Sequence, residues 1–436
     1  METKKGDHAL EINPALCGGC AHCMRVCPTE AIRVFGGKAL MFPDWCVDCG
    51  ECYRVCPAHA IQMADDDMNK LFDYKYRVLL IPALFFGQFA TQISMKEISG
   101  FLCDLGFNEV CAVEQSADLL PLELNRYLCD HPKPVISSFC PSVVRLIQMR
   151  FPLLTDHIMQ LIPPLEVTAQ YCKRSFEAKG IPSQDLGIFY VTPCAAKIAA
   201  IKAPVGGYTS PINGVINMKN LYNKVYLAFK HKKIRSAPEE PDKLHATLSA
   251  TGIRWSMTGG ESVHIKGRAL AIDGMTNVLA FLEKLENEEI TGIDFLELRA
   301  CDESCAGGIL TSGNRFLTVE HLKQMAHEAP KEHTLVHEYR TYCSARVPMQ
   351  PVAPRSMVKF DTNMKVALEK MDKARRLRAL LPGIDCGACG TPSCEALAED
   401  IVCRDASLHA CVFMKTRDPA IMEKIWGKRL FPIKRK

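Results

Sequence analysis

The apolar positions of this chain follow two rhythms. Short, nearly continuous apolar runs at 76–84 (YRVLLIPAL), 108–114, 133–139, 185–193, 267–273 and 294–300 suit strands buried on both faces. Between them, apolar residues recur at helical spacing over 94–105, 117–130, 142–151, 164–179, 217–232 and 275–287. The alternation predicts parallel sheets covered by helices. A further helical stretch, 361–380, follows the proline-rich segment 344–357, which reads as a linker. No uncharged apolar run reaches the length of about 18 residues that a membrane span needs.

At 436 residues the chain is too long for one compact core, so several domains are expected. Hydrophobic residues at 48% and charged residues at 23% allow that core to be sizeable. The opening METKKGDHALEINP has neither an apolar leader nor a twin arginine, which predicts a cytoplasmic protein.

Cysteine changes the picture. There are 22, and a long chain read as cytoplasmic is expected to use them for metal rather than for disulfides. The formal charge of +4 counts them as neutral. Four clusters of about −2 each would bring the total to about −4, so the basic balance is no argument for nucleic acid. The acidic run 239–242 and the basic tail WGKRLFPIKRK read as solvated.

Eight cysteines form two matched blocks, Cys17-x2-Cys20-x2-Cys23-x3-Cys27-Pro28 and Cys46-x2-Cys49-x2-Cys52-x3-Cys56-Pro57. This is two-cluster bacterial ferredoxin spacing, in which the fourth thiolate of each cluster comes from the other block. One cluster would use Cys17, Cys20, Cys23 and Cys56, and the other Cys46, Cys49, Cys52 and Cys27. A pair of zinc knuckles is the competing reading.

Near the C-terminus, Cys386, Cys389 and Cys394 precede Cys411 by a longer gap, and Gly387 and Gly390 permit a tight loop. This block resembles the small four-cysteine 4Fe-4S domain of electron-transport complexes, with zinc as its rival. Cys403 fits no ligand position and is expected to be buried. Cys103, Cys111, Cys129, Cys172 and Cys343 match no motif and are expected in the core. His59 and His264 have no companion at ligand spacing.

The middle region holds Cys140, Cys194, Cys301 and Cys305 at or just beyond predicted strand ends, where α/β folds build sites. SerSerPheCysPro (137–141), ThrProCysAlaAlaLys (192–197) and GluLeuArgAlaCysAspGluSerCysAlaGlyGly (297–308) resemble the three signatures of di-iron, or iron-only, hydrogenases. Pro82 and Ala83 resemble the proline–alanine turn lining that family's active site.

The resemblance implies an α/β hydrogenase-type domain of two lobes with parallel sheets. Flanking it would be an α+β two-cluster ferredoxin domain and a small, mostly helical 4Fe-4S domain. The boundaries read as 1–68, 69–343, a linker and helix at 344–378, and 379–436. It implies four 4Fe-4S clusters, the third held by Cys140, Cys194, Cys301 and Cys305. Cys305 would bridge to a two-iron centre with carbonyl and cyanide ligands, and Lys197 would hydrogen-bond a cyanide.

Five positions at the expected site depart from the family. Phe139 stands where active members carry a proton-relay cysteine. Thr192 and Arg299 each replace a methionine, and Glu303 and Ser304 replace a glycine pair. Loosely aligned, 116–127 keeps Glu123 of an acidic relay but has Leu124 and Tyr127 where carboxylates are expected. These changes are similar to those of the sensory subgroup. The resemblance therefore implies slow hydrogen oxidation or hydrogen binding, with a small redox protein such as ferredoxin, or a signalling protein, as partner. The alternatives are a pure electron-transfer protein with no two-iron centre, and an iron–sulfur assembly factor.

Overall fold

The computed structural model describes residues 8–63, 66–89, 93–231, 248–331, 337–339, 349–355, 360–361, 363–403 and 405–414. Cys343, half of the proline-rich segment, the acidic run 239–242 and the basic tail lie outside them. The chain forms two compact units. One comprises Met1–Leu10, Val47–Gly50 and Met63–Arg355; the other comprises Glu11–Cys46, Glu51–Gln62 and Ser356–Lys436.

The ferredoxin-like region has short strands, β1 (Leu10–Ile12), β2 (Ile32–Phe35), β3 (Lys38–Met41) and β4 (Ile61–Met63). β1 pairs with β4, and β2 pairs with β3 in an antiparallel hairpin. The C-terminal part of the same unit is helical, with helices Met364–Leu380 and Cys394–Cys403. Leu377, Leu381, Leu397, Ile401 and Leu408 build their shared core.

The other unit carries two parallel sheets. Strands β5 (Tyr76–Ile81), β6 (Glu109–Ala112), β7 (Val135–Ile136), β8 (Leu186–Thr192), β9 (Gly214–Asn217), β10 (Ala269–Asp273) and β11 (Phe295–Arg299) follow in chain order. One sheet runs β6-β5-β8-β9 and the other β10-β11-β7, with every pairing parallel. All seven residues of β8 are buried, as are the last four of β5. That is why these strands read as unbroken apolar runs. Helix ends follow local chemistry. Ser94 and Glu97 form a capping box, and Asn217, Asn314 and Asn363 each accept N–H bonds from the first turn of their helix.

Some elements differ from the pattern reading. β7 keeps only two residues of 133–139, because 137–140 leave the sheet to present Cys140. The stretch 117–130 divides into a 3-10 turn, Val113–Leu119, and a helix, Leu120–Asp130, with Pro121 in its first turn. Strand β9 and helices Ala195–Lys202, Arg315–Glu328 and Cys394–Cys403 escape the pattern. Helix Ala195–Lys202 (AAKIAAIK) buries five of its residues and has little polar face, so no helical period is visible. Two motif-free cysteines are not in the core as expected: Cys103 and Cys129 are exposed. The Cys129 thiol donates to the Asn125 carbonyl one turn back, at 3.3 Å, on its helix's outer side. Cys403, expected to be buried, is half-buried at the last residue of its helix. No helix among the described residues is long and apolar enough to cross a membrane.

Candidate metal centre

Three turns beyond strand ends converge. Cys140 follows β7 and caps helix Pro141–Arg150, whose first position is a proline preset for helix entry. Cys194 lies two residues past β8 and caps helix Ala195–Lys202. Thr192 fixes that turn: its Oγ1 donates to the Cys194 carbonyl at 2.9 Å and accepts the Cys194 N–H at 3.3 Å. Cys301 and Cys305 lie on the turn after β11. All four cysteines line one cavity, together with Phe139, Lys197, Arg299 and Ser304. Pro82, Ala83 and Thr192 are not in its wall.

The turns must approach closely. A Cβ at Gly308 would lie 2.5 Å from the Pro193 carbonyl oxygen, so only glycine lets the Cys305 turn close on the Cys194 turn. Glu303 and Ser304 replace the family's glycines yet keep a glycine-like backbone, with φ of +59° and +54°. Ser304 Oγ is buried and has no hydrogen-bond partner among the described residues. An orphaned hydroxyl in the wall of a four-thiol cavity fits a cluster sitting there.

Electrostatics agree. Lys197 Nζ lies 3.8 Å from Cys305 Sγ. Burial pulls the Lys197 ammonium down, but Cys305, Tyr190 and Cys194 outweigh it and hold it charged. Burial pushes the Cys194 thiol up to about 12, against the pull of Lys197. A metal bound there would displace that proton.

Arg299 is 5% exposed and held from behind. It pairs with Glu261, lies 3.5 Å from Glu297 and donates to the Trp255 carbonyl at 3.3 Å. Glu261 in turn accepts from Ser137 Oγ at 2.7 Å, and Glu297 accepts N–H bonds from Gly259, Glu261 and Ser262. Burial raises the Glu261 carboxyl above its ordinary range, with Arg299 opposing and Glu297 adding to the rise. Phe139 packs against Trp255 with ring centroids 5.7 Å apart.

The residues of the loosely aligned relay, Glu123, Leu124 and Tyr127, do not line this cavity. Glu123 is partly exposed and sits 3.7 Å from Arg126. Leu124 is buried in the core. Tyr127 stacks on His131 and accepts the Gln160 N–H at 3.2 Å. A buried carboxylate just before this stretch is Glu114, which accepts the Ala83 N–H with its two oxygens at 3.0 and 3.1 Å. Burial lifts it to about 7, opposed by that N–H and by Lys197.

In the other unit, Cys17, Cys20, Cys23 and Cys56 line one cavity, and Cys386, Cys389, Cys394 and Cys411 line another. Backbone N–H groups of Ala39, Ala31 and Ala60 point at the sulfurs of Cys17, Cys27 and Cys56, at 3.2–3.3 Å. Such donors favour thiolates and tune cluster potential. Cys27, Cys46 and Cys52 belong to this unit, whereas Cys49 lies on Val47–Gly50 and lines the Cys140 cavity.

Comparison with known proteins follows the same division. Residues 78–271 match the family "iron only hydrogenase large subunit, C-terminal domain", residues 9–57 a 4Fe-4S dicluster domain, and residues 381–413 an Fe-S cluster family. The chain is 54% identical over 51 residues to one subunit of the Na(+)-translocating ferredoxin:NAD(+) oxidoreductase complex of Acetobacterium woodii. That match spans 12% of this chain and 15% of the relative's length. Among solved structures, one FeFe-hydrogenase in an H-cluster assembly state is 17% identical, with TM-score 0.49, over 67% of this chain and 97% of that one. An FeFe-hydrogenase from Chlamydomonas reinhardtii is 19% identical, with TM-score 0.48, over 65% and 95%. The chain thus carries, in order, a 4Fe-4S dicluster domain, a domain similar to the iron-only hydrogenase large subunit and an Fe-S cluster domain.

Proposed function

We propose that this protein binds hydrogen, or oxidises it slowly, at the Cys140–Cys194–Cys301–Cys305 cavity, and passes electrons through 4Fe-4S clusters in a sensory role. The observation that carries this reading is the cavity itself: four thiols, a lysine beside Cys305, and a phenyl ring in the same wall. Three sets of four cysteines, joined by Cys46, Cys49, Cys52 and Cys27, would hold four clusters. A two-iron centre bridged through Cys305 would supply an open iron for hydrogen.

The chain's own residues set the rate. Lys197 presents a charged donor beside Cys305, suited to an anionic ligand. Phe139 offers neither donor nor acceptor, so it breaks any proton line that passes through its position. Arg299, locked by Glu261 and the Trp255 carbonyl, adds a second fixed cation to the wall. The site is therefore built to hold a negatively charged group and poorly built to move protons, as suits a sensor better than a fast catalyst. A small redox protein or a signalling protein would receive the electron or the signal.

Infrared spectroscopy after maturation tests the reading. Carbonyl and cyanide bands are expected. Their absence in a protein with full cluster content would leave the pure electron-transfer alternative.

A further inference from the structure

Two cysteine loops far apart in sequence meet within the second unit. Met24 directly follows Cys23, and Gly387 directly follows Cys386. A Cβ built on Gly387 would lie 3.1 Å from Met24 Cε, at a backbone φ of +72°. Arg25 donates to the Cys386 carbonyl at 3.4 Å. The loops face each other across an open groove of about 670 Å³ whose walls include Gly19, Arg25, Gly387 and Cys389.

The approach is held from below. Val34 donates its N–H to the Gly390 carbonyl at 2.8 Å, and a Cβ on Gly390 would sit 1.9 Å from the Val34 oxygen. Next to Val34, Arg33 is fully buried and bidentate to Asp400, with Nε to Oδ2 at 2.7 Å and Nη2 to Oδ1 at 3.1 Å. Its guanidinium lies 5.6 Å from the ring centres of both Phe42 and Trp45. A buried ion pair adds little net stability over an apolar pair of equal volume, because desolvation offsets the attraction. What a bidentate, ring-flanked pair does provide is one fixed relative position.

We propose that the Cys17–Cys23 loop and the Cys386–Cys394 loop form one electron-transfer pair, with Arg33 and Asp400 as its positioning residues. The C-terminal cluster site is then an extension of the ferredoxin chain rather than a separate module. One electron crosses between the two sites, oxidising one and reducing the other by one electron, and no bond or proton changes hands. The inference rests on the cluster assignments proposed above but not on the two-iron centre.

The test is electron paramagnetic resonance on the full chain, reconstituted with iron and sulfide and reduced. The parent is expected to show splitting and fast relaxation that disappear in Cys389→Ser, leaving the ferredoxin pair's own spectrum. Arg33→Lys keeps the charge but loses the bidentate geometry, and should alter the splitting at unchanged iron content. A parent spectrum equal to the sum of the Cys389→Ser spectrum and one isolated signal overturns the proposal. So does a parent lacking the C-terminal cluster. Should Cys389→Ser lose the ferredoxin iron as well, a redox titration of the parent decides. The ferredoxin signal must then change shape as the C-terminal site fills, and a constant shape overturns the pairing. Absence of carbonyl and cyanide bands would instead sink the hydrogen reading and leave this one standing.

Discussion

At the scale of single residues, Phe139 carries the clearest functional consequence. It is 5% exposed, packs on Trp255 and lines the four-cysteine cavity. Phe139→Cys would return a proton-carrying group to the wall. With the two-iron centre installed, hydrogen oxidation by the variant is expected to rise, each tenfold corresponding to about 1.4 kcal/mol of barrier. Losing the ring from a packed core should cost about 3 kcal/mol of stability. Equal rates at equal two-iron occupancy would show that proton delivery at this position is not limiting.

Glu114 makes a second residue-scale prediction. Its ordinary carboxyl value of 4.5 is raised to about 7 by burial. Below pH 4.5 the group is protonated folded or unfolded, and pH has no hold on it. Between 4.5 and 7 the unfolded chain ionises first, so stability falls as pH rises. Above that window the deficit levels off near about 3 kcal/mol. Glu114→Gln keeps an acceptor for the Ala83 N–H and should flatten this slope, raising the thermal midpoint at pH 8 more than at pH 5. Parallel pH profiles for parent and variant would show that Glu114 ionises normally in the fold.

At the scale of elements, the turn between Cys301 and Cys305 stands out. Glu303 adopts φ +59°, a left-handed conformation that costs a non-glycine residue about 1 kcal/mol. Glu303→Gly removes that strain and loses part of the gain to the freer unfolded chain, for a net stabilisation of about 0.5 kcal/mol. A rise of a degree or two in thermal midpoint is expected by circular dichroism. A fall would mean that the Glu303 side chain itself holds the turn. Neither glycine preference nor its violation needed the structure to be suspected, but the retained φ did.

At the scale of the whole molecule, iron content is the decisive number. Four clusters of four irons predict about 16 per chain, and about 18 with the two-iron centre. Cys389→Ser should lower the count by about four while the ferredoxin pair's visible absorption persists. A reconstituted protein holding half the predicted iron or less would remove the four-cluster reading.

Much of this was legible in the linear pattern. Six of the seven parallel strands, most helices and every cysteine block could be placed, because strand burial and ligand spacing are local properties. The resemblance of the cysteine motifs to the family signatures also marked Phe139, Lys197 and Arg299, each within three residues of a motif cysteine. Only tertiary structure decided what long-range contacts control. It left Glu123 partly exposed and buried Glu114, because burial depends on what packs over a segment rather than on the segment's own sequence. It put Cys103 and Cys129 at the surface. It also joined the Cys386 loop to the Met24 loop across more than three hundred residues, through an Arg33–Asp400 pair that no periodicity or spacing can announce.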